Sequence, residues 1–176
     1  MTGWALEGAP NPTLLRLHFD VALTDETIVT CPPGVLPEPL DRLLEIEAIR
    51  SLDLHRYRTR LNLYPGAGRA EARRHVAEVL TPAWGPGAEL VPDAGPRAFE
   101  AATSGPKAVA ESPAMARGHR LLVAAFSVDG VVEAISGEGM VLVRLGRLFS
   151  WADRETAVVA ALQSAGGMPG STSGPS

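Results

Sequence analysis

One feature limits what this chain can fold into more than any other: it repeats itself. Residues 45–80, EIEAIRSLDLHRYRTRLNLYPGAGRAEARRHVAEVL, register without a gap on residues 127–162, SVDGVVEAISGEGMVLVRLGRLFSWADRETAVVAAL, at a shift of 82. Ile46, Ile49, Leu61 and Leu63 meet Val128, Val131, Val143 and Leu145, and Val76 and Leu80 meet Val158 and Leu162. Upstream, the same shift carries Leu15, Leu17 and Phe19 onto Arg97, Phe99 and Ala101. Identities are few, but apolar positions and element lengths agree, as expected of two copies of one supersecondary unit.

Each copy reads as strand, strand, helix, strand, strand, helix. Alternation and helical spacing place these at 13–19, 26–31, 37–46, 49–55, 57–64 and 69–80 in the first copy. In the second they fall at 96–102, 107–110, 113–127, 131–136, 139–146 and 151–163. Ser112–Pro113 is an N-cap followed by proline at the first helical position. SWAD at Ser150–Asp153 resembles a capping box with Asp in place of the usual Glu, and Gly68 holds the same position in the first copy. SGEG (136–139) supplies turn residues for a hairpin, whereas the matching LHRYR contains no glycine.

A unit of this size has too few residues to cover both faces of a sheet, so its helices lie on one face. The fold class is therefore α+β: two tandem ββαββα-like open-faced sandwich modules, residues 1–85 and 96–163. A Pro/Gly-rich linker at 86–95 separates them, and a disordered small-residue tail follows at 164–176.

Apolar content of 45% with 20% charge marks a globular chain, and a net charge of −4 lacks the basic excess of a general nucleic-acid binder. The opening MTGWALEGAP lacks the basic start and apolar core of a signal peptide, and no apolar run approaches the ~18 residues of a membrane span. The expectation is a cytoplasmic protein that binds neither nucleic acid nor membrane. Cys31 is the single cysteine, so one chain can form no internal disulfide and cannot supply the four ligands of a cubane cluster. A buried thiol and no cofactor are expected.

No catalytic set emerges. PGAGRAEARRH (65–75) has a Gly-x-Gly before a helix, but the third glycine is missing and the preceding strand belongs to a hairpin, so it reads as a turn and a cap. His18, His55, His75 and His119 are scattered and assign no metal site. Ser112 and Ser150 cap helices, with no His or Asp placed to activate them. The protein reads as a non-enzyme.

HRYRTR (55–60) is the most pointed charge feature. Alternation puts Arg56, Arg58 and Arg60 on one side, with Tyr57, Thr59 and Leu61 toward the helices. Arg16 and His18 join them on the open face. The functional reading is a docking patch for an acidic partner or an anionic peptide; the plain one is a solvated sheet face. At the shift of 82, Arg16, His18, Arg58, Arg60 and Asn62 become Ala98, Glu100, Met140, Leu142 and Arg144. With Val131 and Ile135 expected beside them, the second face is substantially apolar. Met140 and Leu142 are expected to be covered by the first module, by a second copy of the chain in a homodimer, or by a client protein.

The segments APNPTLLRL (9–17), LPEPLDRLLEI (36–46) and EAIRSLDL (47–54) resemble the N-terminal domain of Nfu/NifU-type iron–sulfur scaffold proteins. In the second copy, SPAMARGHRLLVAAFSV (112–128), DGVVEAIS (129–136) and the helix-opening Trp151 carry the same resemblance more loosely. The Pro-Asn-Pro start is missing from the second copy; the Gly before Val is Ala48 in the first, which also lacks the Trp. The Cys-x-x-Cys module that usually follows this domain is absent from the sequence. The resemblance implies a non-enzymatic accessory of iron–sulfur assembly that binds protein partners and holds no cluster itself. The residues alone leave open a generic interaction module, or a small-molecule sensor binding between the modules. The opening loop is expected to matter in the first module only, with Pro12 holding Asn11 extended and Asn11 bonding local backbone.

Overall fold

The structure, a computed structural model, describes residues 3–103 and 106–166. Most of the tail expected to be disordered therefore lies outside the described residues. The chain divides into two compact units, residues 1–92 with 146–148, and residues 93–145 with 149–176. No helix among the described residues is long and apolar enough to cross a membrane.

The first unit holds four strands, β1 (Trp4–Gly8), β2 (Leu14–Phe19), β3 (Ile49–His55) and β4 (Arg58–Leu63), and one long helix, α1 (Arg69–Trp84). The strands form an antiparallel sheet in the order β1-β2-β4-β3. Leu15, Leu17, Phe19, Leu52, Leu61 and Leu63 point to one side, and all are nearly or fully buried. Against them pack Ala72, Val76 and Leu80, spaced four apart on α1, with Leu43 from a 3-10 helix at Asp41–Glu45 and Leu40 at its N-cap. Each such leucine contributes roughly 1.5–3 kcal/mol by leaving water.

The second unit repeats the plan with β5 (Arg97–Glu100), β6 (Ala108–Ala110), β7 (Val131–Gly137) and β8 (Met140–Leu145). Its helices are α2 (Pro113–Ala116), α3 (Arg120–Phe126) and α4 (Trp151–Ser164). The sheet order is β5-β8-β7-β6, again antiparallel. Phe99, Ala134, Val141 and Val143 face the helical side, where Leu122, Ala125, Phe126, Val158 and Leu162 are buried.

The shift of 82 holds at the level of individual pairs. Asp53 opposite Arg60 becomes Ile135 opposite Leu142, and Arg16 opposite Arg60 becomes Ala98 opposite Leu142. Phe19 N–H donates to the Tyr57 carbonyl at 3.0 Å, and Ala101 N–H to that of Gly139 at 2.8 Å. Even the irregularity recurs: a register shift between Ile49 and Ser51 returns between Val131 and Glu133.

Several expected elements take a different form. The leader is a strand, β1, because Trp4 and Leu6 alternate with Ala5 and Glu7 along the edge of β2. The strand expected at 26–31 shrinks to one bridge, Ile28 to Leu54. The helix expected at 37–46 is the short 3-10 turn: Pro37 and Pro39 have no N–H to donate, and the bonds that form run i to i+3, as from Leu43 N–H to the Leu40 carbonyl. The helix expected at 113–127 breaks into α2 and α3 around Gly118, whose φ is +87°. α1 continues past residue 80 to Trp84, which packs edge-on to Phe19 with ring centroids 5.6 Å apart. Both serine caps form, Ser112 Oγ accepting from Met115 N–H and Ser150 Oγ from Ala152 N–H.

The opening loop also differs from expectation. Asn11 Oδ1 accepts from Thr13 N–H at 3.0 Å, so the local turn forms. In the stretch read as linker, Asp93 Oδ1 accepts from Gly95 N–H at 2.9 Å, and Asp93 and Gly95 are the counterparts of Asn11 and Thr13. The device belongs to both modules, because Asp can form the same side-chain turn as Asn.

Candidate functional site

The residues of interest lie on the sheet faces turned away from the helices. On the first, β2 contributes Arg16 and His18, β4 contributes Arg58, Arg60 and Asn62, β3 contributes Ser51, Asp53 and His55, and β1 contributes Ala5 and Glu7. The register arranges them in rows across the strands. One row is Glu7–Arg16–Arg60–Asp53, and the next is Ala5–His18–Arg58–His55. Arg16, His18, Arg58 and Arg60 are thus brought together as expected. Arg56 is not: it sits in the two-residue turn between β3 and β4, where strand alternation stops. Its Nε lies 3.9 Å from Asp25, and its guanidinium 5.3 Å from the Tyr57 ring centre.

Glu7 organises the neighbourhood. Its Oε2 is 3.0 Å from His18 Nε2 and 3.5 Å from Arg16 Nη1, while its Oε1 accepts from Arg147 Nη1. Burial alone would push the Glu7 carboxyl up. The His18 hydrogen bond and the charges of Arg147 and Arg16 outweigh that and leave it below its ordinary value. His18 is only 4% exposed, and burial carries its pKa down despite the hydrogen bond to Glu7. His55 is 8% exposed. Burial first, then the Arg58 and Arg60 charges, push its pKa down to about 4. At neutral pH both imidazoles are therefore neutral, and the positive charge of this face comes from arginine. The face is not the simple solvated surface that alternation suggests.

The second face carries Ala98 and Glu100 from β5, Met140, Leu142 and Arg144 from β8, Glu133 and Ile135 from β7, and Val109 from β6. A row of Ala98, Leu142, Ile135 and Val109 runs across all four strands. Val109 is 45% exposed and Met140 41%. Arg144 is held by Glu133 at 3.1 Å and Asp93 at 3.6 Å. Val131 does not join this face as expected. The register shift inserts an extra residue, so Val131 pairs with Leu145 and is fully buried on the helical side.

Sequence reasoning missed Glu7, Asp53, His55, Val109 and Arg147 as members of these faces. The alternation in WALEG carried the signal for Glu7. For Arg147, which lies in a loop far along the chain, no local signal exists. Cys31 is buried as expected, and burial together with the Asp41 charge raises its thiol pKa. Among the described residues no group of three His, Cys, Asp or Glu side chains is placed to hold a metal ion. No protein-family model, curated protein or solved structure matches the chain.

Proposed function

We propose that this protein is a non-enzymatic interaction module whose sheet faces dock protein partners, and, following its resemblance to Nfu-type N-terminal domains, that it serves iron–sulfur assembly as an accessory. The observation that carries the interaction reading is the apolar row Ala98–Leu142–Ile135–Val109, with the exposed Met140 beside it. In the first module the counterparts of Ala98, Leu142, Ile135 and Met140 are Arg16, Arg60, Asp53 and Arg58, all charged, while that of Val109 is Thr27. Ala98 and Val109 are exposed and Leu142 and Ile135 half-buried, and apolar surface gathered across a whole sheet marks a contact surface more often than solitary residues do. Leu142 is half-buried and Met140 41% exposed, so covering what remains would supply about 1 kcal/mol each.

Leu142→Asp tests the reading. In a pull-down with identification by mass spectrometry, the parent is expected to retain a specific partner from the iron–sulfur assembly machinery, and the variant to lose it with its melting unchanged. A parent and variant that match in partners, in mass by light scattering and in melting would show the face to be merely exposed. A partner with no link to iron–sulfur assembly, lost in the variant, would leave the general interaction reading in place and remove the assembly role.

A further inference from the structure

The first sheet face has more donors than acceptors. Arg16 and Arg60 stand directly opposite each other on β2 and β4, an arrangement in which like charges ordinarily repel. The two carboxylates of their row are already engaged. Glu7 serves His18, Arg16 and Arg147. Asp53 accepts from Thr30 N–H at 2.9 Å through Oδ1 and from Asn62 Nδ2 at 3.3 Å through Oδ2. Although Asp53 is opposite Arg60 in register, no ion pair of Arg60 forms among the described residues.

The Nε atoms of Arg16 and Arg60 are shut off from water without an acceptor, and so is Nε2 of His55 in the adjoining row. Arginines of the second sheet are supplied differently: Arg97 pairs with Glu155, and Arg144 with Glu133 and Asp93. Among the described residues the Nε atoms of Arg69 and Arg154 also lack an acceptor, but both lie on helices rather than on a sheet face.

The complement of two neighbouring guanidinium forks is a planar, acceptor-only group that can take two parallel N–H bonds. We infer that the Arg16–Arg60 pair is a carboxylate-binding site, taking the side chains of an acidic segment in a protein partner. The inference rests on the interaction reading above and names the chemistry of one partner surface. Glu7 and Asp53 in the same row favour a singly charged carboxylate, since they would repel a doubly charged phosphate more strongly.

Calorimetric titration of the full chain with hexaglutamate at low ionic strength tests it. Binding by the parent is expected, weakened about tenfold or more in Arg60→Gln, and to an intermediate degree in Arg60→Lys, which keeps the charge and loses the fork. Arg74→Gln, on the exposed side of α1, should bind like the parent. Circular dichroism and melting confirm that each variant folds. Absence of binding by the parent, or equal weakening in Arg74→Gln, would overturn the site. So would inorganic phosphate binding the parent more tightly than the peptide does. If hexaglutamate fails while Leu142→Asp still loses its partner, the carboxylate site falls and the interaction reading stands. If hexaglutamate binds through Arg60 while Leu142→Asp changes nothing, the site stands and the reading built on the apolar row falls.

Discussion

The two modules share three strands and a long helix, and they part company at the edges and on the outer face. The first completes its sheet with β1 beside β2; the second completes its own with β6 beside β7, at the opposite edge. The counterpart of β6 in the first module is the lone Ile28–Leu54 bridge, and residues 86–90, the counterpart of β1, form no strand. On the outer face, Arg16, Arg60 and Asp53 are replaced by Ala98, Leu142 and Ile135 at the same grid points. On the inner side, Leu61 gives way only to Val143 and Val76 is kept as Val158, all buried. The comparison separates what makes the fold from what rides on it. Buried positions tolerate changes of size among apolar residues, whereas outer positions can invert their chemistry without moving a backbone pair.

The largest effect that would test this separation is acid sensitivity. His55 occupies the point that Gly137 takes in the second module. Its folded pKa, about 4, lies below the ordinary 6.5. The stability associated with its neutral form is therefore fully present above 6.5 and is lost as pH falls toward 4. The loss is on the order of 3 kcal/mol. Urea unfolding compared between about pH 7.5 and about pH 4.5 should show His55→Gln losing less stability than the parent by most of that amount. Equal losses would place the acid sensitivity elsewhere.

Next comes Gly130, the counterpart of Ala48. A Cβ there would lie 2.5 Å from Phe149 Cγ, on a backbone with φ of +95°. Gly130→Ala should cost about 2 kcal/mol, against about 1 kcal/mol or less for Ala48→Gly. Denaturation midpoints that shift equally would mean the two strand starts are built alike. The smallest effect concerns the paired turns. Asn11→Ala and Asp93→Ala should each cost about 1 kcal/mol. A urea midpoint that moves only for Asn11→Ala would restore the loop to the first module alone.

How much of this was legible in the chain depended on whether a local pattern carried it. The repeat and the inward leucines were readable because strands and helices impose periods of 2 and 3.6 on apolar residues. Val131 was misplaced because a register shift adds a residue that no alternation records. Arg56 was misplaced because the period was carried through a two-residue turn. The turn at Asp93 was hidden under a Pro/Gly-rich composition that reads as linker, although Pro92–Asp93 parallels Pro10–Asn11 at the shift of 82. The Glu7 network was out of reach: it joins β1, β2 and Arg147, which lies 140 positions away.

The recurring register shift has a practical consequence. Because it falls at Ile49/Ser51 and again at Val131/Glu133, outer-face coordinates on the three shared strands transfer between the modules one for one. The molecule is thus a ready pair of interchangeable display frames. A binding surface selected on the three shared strands of one could be transplanted to the other by substitution alone, with no loop cut or lengthened. Chimaeras that trade rows would then serve as internal controls for each other, since every graft is tested on a backbone that already carries the donor's register.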